Sequence, residues 1–432
     1  MFLAERVHRI AAVAALGSLI VVGFTPNRLR AQQKNEPASL ATAEPNDIAL
    51  PLPEDRGEAA LEQALKRLGT TASALMIVAH PDDEDGSLLT WLSRGLGVRA
   101  TLFTLTRGEG GQNVMSGDAD DALGIIRTNE LLRASEFYGA KQLWGTQADF
   151  GFSKTQEEAF ARWGHERVLY DAVLAVRQVR PQIIVSTFVG GITDGHGQHQ
   201  VSGEIAQEVF KAAGDPKVFP EQLKNGLEPW QPLAVYSMTP FAPVTDKGMF
   251  DYATGKWAPA KFKNYVTGEA TTGVPSTDVT LSVGTRDATL GRSYAQIARE
   301  GWGEQKSQNG GASPALSGPS SANYHLWAVD AAAKAATGTK AKDDDLFDNS
   351  KVQIDTSISG IARLVRGSAP AWLTSGLQAI EASLKRSEVK CAGDVGAPLA
   401  QSLAPIYRAT LDLRAKVAAS DLDARAKADV LF

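Results

Sequence analysis

The 432-residue chain is 43% hydrophobic and 22% charged, which is ample material for one large or two ordinary packed domains and excludes a disordered or fibrous protein. A net charge of -5 leaves no basic footprint, so no nucleic-acid partner is expected. Cys391 is the only cysteine, which excludes an intrachain disulfide and a Cys-based zinc site; any metal must be held by His, Asp or Glu.

At the N-terminus, Arg6 and Arg9 precede an uncharged stretch over residues 10–24, followed by Pro26 and a polar segment ending at Ala31. That is the order of a secretory signal peptide over residues 1–31, so the protein is expected to be exported, periplasmic or secreted. Left uncut, the stretch would act as an N-terminal anchor. No other segment is long and apolar enough to cross a bilayer, so no membrane span is expected after cleavage. Residues 32–57 are polar and aperiodic and read as a linker.

A short helix follows, with Leu61, Leu65 and Leu68 on one face and Gly69 placed to end it. Apolar β-type runs then occur at residues 74–78, 98–105, 183–188 and 233–238, with helical text at 122–138 and 157–179 between them and a helix from 198 to 212. Strands alternating with helices predict crossover units and a mainly parallel sheet flanked by helices. Residues 241–277 read as an irregular or antiparallel insertion, 279–283 as a further strand, 286–306 as a helix and 307–321 as a loop. The main domain is thus expected over residues 58–330. Beyond it, residues 331–432 read as an Ala-rich helical extension with apolar positions at Leu373, Leu377, Ile380 and Leu384, then Leu403, Tyr407, Leu411 and Leu413. The chain stops inside apolar helical text, so a longer C-terminal part is expected.

The chemistry concentrates at three strand ends. After the run at 74–78 comes Ala79-His80-Pro81-Asp82-Asp83-Glu84, which gathers an imidazole and three carboxylates at one chain reversal. In an open α/β sheet, ligands bind outside the carboxyl ends of the strands. After 183–188 lie His196 and His199, three residues apart at the start of a helix and able to point the same way. His80, one of Asp82 and Asp83, and one of His196 and His199 would suit a catalytic zinc with an open position. The spacing does not choose among them. The carboxylate left over can accept a proton from water while the spare imidazole faces the substrate, which fits hydrolysis of an amide or ester. A site of two His and one carboxylate accepts Fe²⁺ as well.

The third strand end carries Arg107, Glu109 and Asn113 in a Gly-rich loop, and Arg127 follows on the next helix. Arg107, Asn113 and Arg127 are candidates for gripping a polyhydroxylated or anionic substrate. The ordinary alternative is structural: Arg127 and Glu130 have the helical spacing of an ion pair. The loop lacks the Gly-Lys-Ser/Thr of a phosphate cradle. His165 and His325 have no ligand-type neighbours at useful spacing, and Trp91, Trp144 and Trp163 are expected to pack in the core.

The hexapeptide at 79–84 and the downstream His196-Gly-Gln-His199, with Thr106–Asn113, Gly124–Glu130 and Asp149-Phe-Gly-Phe152, resemble the PIG-L/LmbE-like family of zinc-dependent N-acetyl-sugar deacetylases over about residues 73–240. The resemblance implies a Rossmann-like fold, with His80, Asp83 and His199 as zinc ligands and Asp82 as general base. It gives His196 the stabilisation of the oxyanion or the protonation of the leaving amine. Many members carry Asp where this chain has Gln198, which puts the charge state of His196 in question. Asp194 is offered as the substitute acid. The expected function is an exported deacetylase acting on a small-molecule or glycan substrate of the N-acetylglucosamine type. The alternatives are an amidase or esterase on a non-sugar substrate and a non-catalytic carbohydrate-binding scaffold. The substrate's identity and the oligomeric state are not read from the sequence.

Overall fold

The computed structural model describes residues 42–43, 52–240, 244–251, 253–336, 343–365, 369–391 and 397–431; the expected signal peptide at 1–31 lies outside them. Among the described residues, twelve strands and twelve α-helices follow in chain order. They begin with β1 (Thr42–Ala43), α1 (Gly57–Leu68), β2 (Ser73–Val78), α2 (Gly86–Thr90), β3 (Arg99–Thr104), α3 (Asp120–Tyr138) and β4 (Lys141–Trp144). Next are α4 (Gln156–Trp163), α5 (His165–Val179), β5 (Ile183–Ser186), α6 (Gly197–Ala212), α7 (Pro220–Lys224) and β6 (Ala234–Met238). Two small hairpins come from β7 (Met249–Asp251) with β8 (Lys256–Ala258) and β9 (Phe262–Lys263) with β10 (Ala270–Thr271). The remainder is β11 (Val279–Leu281), α8 (Tyr294–Trp302), α9 (Lys306–Asn309), β12 (Ala322–Val329), α10 (Ala371–Cys391), α11 (Ala397–Ala419) and α12 (Ala424–Leu431).

The main sheet has eight strands in the order β1-β4-β3-β2-β5-β6-β12-β11. The pairings among β4, β3, β2, β5 and β6 are parallel, and β1, β12 and β11 add antiparallel edges. This is an α/β fold with a mainly parallel sheet and C-terminal helices. Strand order runs outward from β2 to β3 and β4 in one direction and from β5 to β6 in the other. The β2/β5 pair is therefore the switch point, where an open crevice forms beyond the strand ends.

Both faces of the sheet are covered, so its central strands read as continuous apolar runs. In β2, Ala74, Met76 and Val78 enter one core with α2, α3 and α8, while Leu75 and Ile77 enter the other with α5 and α6. A third cluster holds Leu373, Leu377, Ile380 and Leu384 of α10 against Ile406, Leu413 and Val417 of α11, with Leu65 of α1 packed on it. Tyr407 and Leu411, expected on that apolar stripe, are exposed.

Three expectations need correction. The helix expected over 157–179 is two helices, because Gly164 adopts φ +80°, a left-handed conformation that favours glycine and ends α4. The helix expected over 286–306 begins only at Tyr294, where Ser293 and Gln296 form a capping box; the preceding residues form turns around Asp287. Strands β4 and β12 were not anticipated. The first is only four residues long and carries Lys141 and Gln142, and the second mixes buried and half-buried residues without regular alternation.

Candidate active site

The crevice at the β2/β5 switch point receives the turn after β2 and the start of α6. Thr106 seals the base of the turn, its backbone N–H and hydroxyl both donating to the Ala79 carbonyl. Beyond it, His80 Nδ1 lies 3.1 Å from one Asp83 oxygen and His199 Nε2 lies 3.2 Å from the other. The three residues offer ligand atoms within 4.8 Å of one another. Each imidazole is fixed through its other nitrogen: His80 Nε2 meets Gln198 Oε1 at 2.5 Å, and His199 Nδ1 meets the Asp194 carbonyl at 3.1 Å. An N–H held on each outer nitrogen makes the inner one, on the Asp83 side, the atom that would turn its lone pair to a metal. Phe188 stacks on the His199 ring at 4.2 Å. Two nitrogens and a carboxylate with outer hydrogen-bond partners fit a zinc or ferrous ion held by three protein ligands.

The electrostatics agree with that donor set. Burial opposes ionisation of Asp83, but His199 and His80 hold its carboxyl well below the usual carboxylate range. Burial also opposes charge on His80, yet Asp83, with Asp149 4.0 Å from His80 Nε2, pushes its pKa up to about 9. The ionised Asp83 carboxylate thus lies buried between two imidazoles.

Asp82 stands apart from the triad. Its backbone takes φ +88°, a left-handed conformation that is costly for a non-glycine residue. The turn is gripped from 220 and 227 residues away: Trp302 Nε1 donates to the Asp82 carbonyl at 3.4 Å and Gln308 Nε2 to the Pro81 carbonyl at 2.7 Å. Glu84 accepts the Asp82 backbone N–H at 2.9 Å and is itself held by Tyr138 and Gln305. Among the described residues the Asp82 carboxylate accepts no hydrogen bond. Burial and the charges of Asp83 and Glu84 push its pKa up to about 8, against the pull of His80 and Arg127.

His196 is the N-cap of α6, and its Nδ1 accepts the Gln198 backbone N–H at 3.1 Å. Its ring centroid lies 5.2 Å from that of His80 and 4.8 Å from that of the exposed Phe152. Burial and the neighbouring His80 and His199 lower its pKa to about 3. The imidazole is therefore neutral at ordinary pH, with its proton on Nε2.

Asp194 does not replace the missing acid beside His196. Its carboxylate accepts the backbone N–H groups of Val189, Gly190 and Gly191 at 3.2, 2.8 and 3.0 Å, which commits it to the loop after β5. Gln198 contacts the metal-side imidazole of His80 and the Gly151 carbonyl. The three proposed substrate grips also have other partners. Arg127, 3% exposed, donates to the carbonyls of Gly108 and Gln112 and to Ser307 Oγ, while Glu130 accepts from Ser307 and forms no close pair with Arg127. A Cβ added to Gly111 would lie 2.2 Å from Arg127 Nη1, so the Gly-rich loop is shaped to wrap that guanidinium. Arg107 pairs with Asp121 at 2.8 Å, and Asn113 caps its own loop by accepting from Met115 and Ser116.

The sequence reading missed Gln305, Gln308 and Trp302, which reach the turn from α8 and α9, and Ser153, which lies 3.3 Å from His196 Nδ1. Trp144 and Trp163 are buried, and Trp91 packs against the core, as expected.

Residues 75–210 match the family described as "PIG-L: GlcNAc-PI de-N-acetylase". The chain is 32% identical over 165 residues to a 1D-myo-inositol 2-acetamido-2-deoxy-alpha-D-glucopyranoside deacetylase of Geodermatophilus obscurus, covering 34% of this chain and 55% of the relative. It is 30% identical over 239 residues to a protein of the same name from Kineococcus radiotolerans, covering 48% and 64% respectively. The chain thus spans less than two-thirds of the length of either relative. Among solved structures, the N,N'-diacetylchitobiose deacetylase from Pyrococcus horikoshii matches at 20% identity with a TM-score of 0.34, covering 44% of this chain and 72% of that one. Over residues 75–210, from β2 to late in α6, the chain carries a PIG-L family domain.

Proposed function

We propose that the protein is an exported, zinc-dependent N-deacetylase that removes an acetyl group from an N-acetylglucosamine-type sugar or conjugate. The observation that carries this reading is the pairing of the His80, Asp83 and His199 ligand set with the unengaged carboxylate of Asp82 at the sheet's switch point. The deacetylase names of the two relatives, both for a 2-acetamido-2-deoxy-glucopyranoside conjugate, support the choice of substrate class. Export rests on the basic and apolar pattern of residues 1–31.

A bound zinc ion would supply Lewis acidity at this point and bring the pKa of a water near 7. The protein's own groups do the rest. Asp82, whose carboxylate accepts no hydrogen bond among the described residues, accepts the proton of the attacking water and can pass it to the leaving amine. His196, neutral and protonated on Nε2, donates a hydrogen bond to the oxygen on which negative charge develops. Phe152, exposed and edge-on to the His196 ring, borders the place where a sugar would enter.

The test is metal content together with acetate release from a panel of N-acetylated sugars. His199→Ala should abolish metal binding by the His80, Asp83 and His199 set, whereas Asp82→Asn should keep that metal and lose turnover by about 10²- to 10⁴-fold. Equal metal loss in both variants would overturn the division of roles. Bound zinc without acetate release from any member of the panel would overturn the deacetylase reading.

A further inference from the structure

A second group of metal-type ligands lies on the outer side of α6, away from the His80 site. His165, the first residue of α5, places Nε2 2.7 Å from Glu208 Oε2. Glu204 precedes Glu208 by one helical turn, and ligand atoms of all three residues lie within 4.8 Å of one another. Phe160 packs on the His165 ring at 4.8 Å and limits its rotation. Glu204 is only 8% exposed, yet among the described residues no cationic nitrogen approaches its carboxylate within 4.0 Å. Lys263 acts on it only at longer range, and its near neighbours are the Gln156 amide and the Glu208 carboxylate.

Two facing carboxylates, one largely buried, need either a shared proton or a cation between them. Burial and the Glu208 charge do push the Glu204 pKa up to about 8, so at neutral pH the metal-free pair holds a proton that a cation could displace.

We propose that His165, Glu204 and Glu208 form a second divalent-cation site, which takes zinc or a similar borderline transition metal and ties α5 to α6. One imidazole and two carboxylates make a three-ligand set with room for water, the donor chemistry of a zinc rather than a calcium or magnesium site. Ligand atoms around a tetrahedral zinc stand about 3.3 Å apart. The present 2.7 Å contact is the hydrogen bond that takes the metal's place, and the side chains of His165 and Glu208, 44% and 24% exposed, are free to open by that difference. Glu204 lies five residues beyond His199, about 7.5 Å further along the α6 axis, so a cation here would brace the helix that presents His199.

The test uses the full chain, stripped of metal, dialysed against Zn²⁺ and analysed for bound zinc. His165→Ala and Glu208→Gln should each bind one zinc fewer per chain than the unsubstituted protein, and zinc should raise their Tm by less. Because the readout is a difference between proteins that all retain His80, Asp83 and His199, it holds whether or not that first set binds metal. Both side chains are partly exposed, and far-UV circular dichroism verifies that the variants fold. Equal zinc content in all three proteins would overturn the proposal and leave His165 and Glu208 as an ion pair only.

Discussion

Gln198 Oε1 lies 2.5 Å from His80 Nε2, and the same amide donates from Nε2 to the Gly151 carbonyl at 2.9 Å. The second bond fixes which end of the amide faces the imidazole. His80 must then keep a proton on Nε2, so Nδ1, beside Asp83, is the nitrogen that would give up its proton to a metal. The amide does this without adding charge, whereas an acid at position 198 would add a further negative group to a site that already holds Asp82, Asp83 and Asp149.

Removing this partner should loosen the metal rather than the fold. Gln198→Ala is expected to weaken zinc binding by about ten- to a hundredfold, as measured by competition against a chromophoric chelator. An unchanged affinity would mean that His80 is oriented by Asp83 alone.

His196 is expected to act as a neutral hydrogen-bond donor, because its pKa is lowered to about 3 and Nδ1 already accepts the Gln198 N–H. His196→Ala should cost about 10²- to 10³-fold in kcat with the metal retained. His196→Gln, which keeps an N–H donor, should recover part of that loss. The informative measurement is kcat against pH: loss of a basic limb in the Gln variant would show that His196 delivers a proton, contrary to this assignment.

The central strands, the crevice and the His80, Asp82, Asp83, His196 and His199 cluster were all legible in the sequence. Buried parallel strands are continuous apolar runs, and the polar residues that follow them must lie at the strand ends. The partners of those residues were not legible. Gln308 and Trp302 meet the Pro81–Asp82 turn across more than 200 residues of chain, a contact with no local periodicity to announce it. Asp194 was misjudged because proximity in sequence to His196 says nothing about which way a carboxylate turns. Its three oxygen contacts are backbone N–H groups of the preceding loop. His165 was passed over for the same reason, since its carboxylates come from another helix.

The grip on Asp82 yields its own prediction. The left-handed turn at Asp82 persists only while surrounding contacts hold it, and Gln308 supplies one of the shortest. Gln308→Ala should cost about 1 kcal/mol in stability and lower kcat by about ten- to a hundredfold through a displaced base, with KM little changed. A rise in KM at constant kcat would instead place Gln308 in contact with substrate.

Arg127 should behave as part of the fold. Its guanidinium is buried and satisfies two backbone carbonyls and Ser307. Truncation strands those acceptors, at roughly 1.5–3 kcal/mol for a hydrogen bond to a charged group. Arg127→Ala should therefore lower the urea midpoint and disorder the loop it supports, a change visible as faster proteolysis between residues 107 and 119. A variant of unchanged stability with a raised KM would restore Arg127 as a substrate contact.

Stability of the metal-free protein should depend on pH through Glu204. Its carboxyl titrates near 4.5 when free and at about 8 in the fold. Between those values the folded chain binds more protons than the unfolded one, so this group makes stability fall as pH rises. Glu204→Gln removes the group, and its urea midpoint should decline less than that of the unsubstituted protein between about pH 5 and about 8. Zinc should flatten the unsubstituted protein's curve toward that of the variant, because a cation between Glu204 and Glu208 removes the need for the proton. Parallel declines in both proteins, with and without zinc, would show that the two carboxylates share neither proton nor metal.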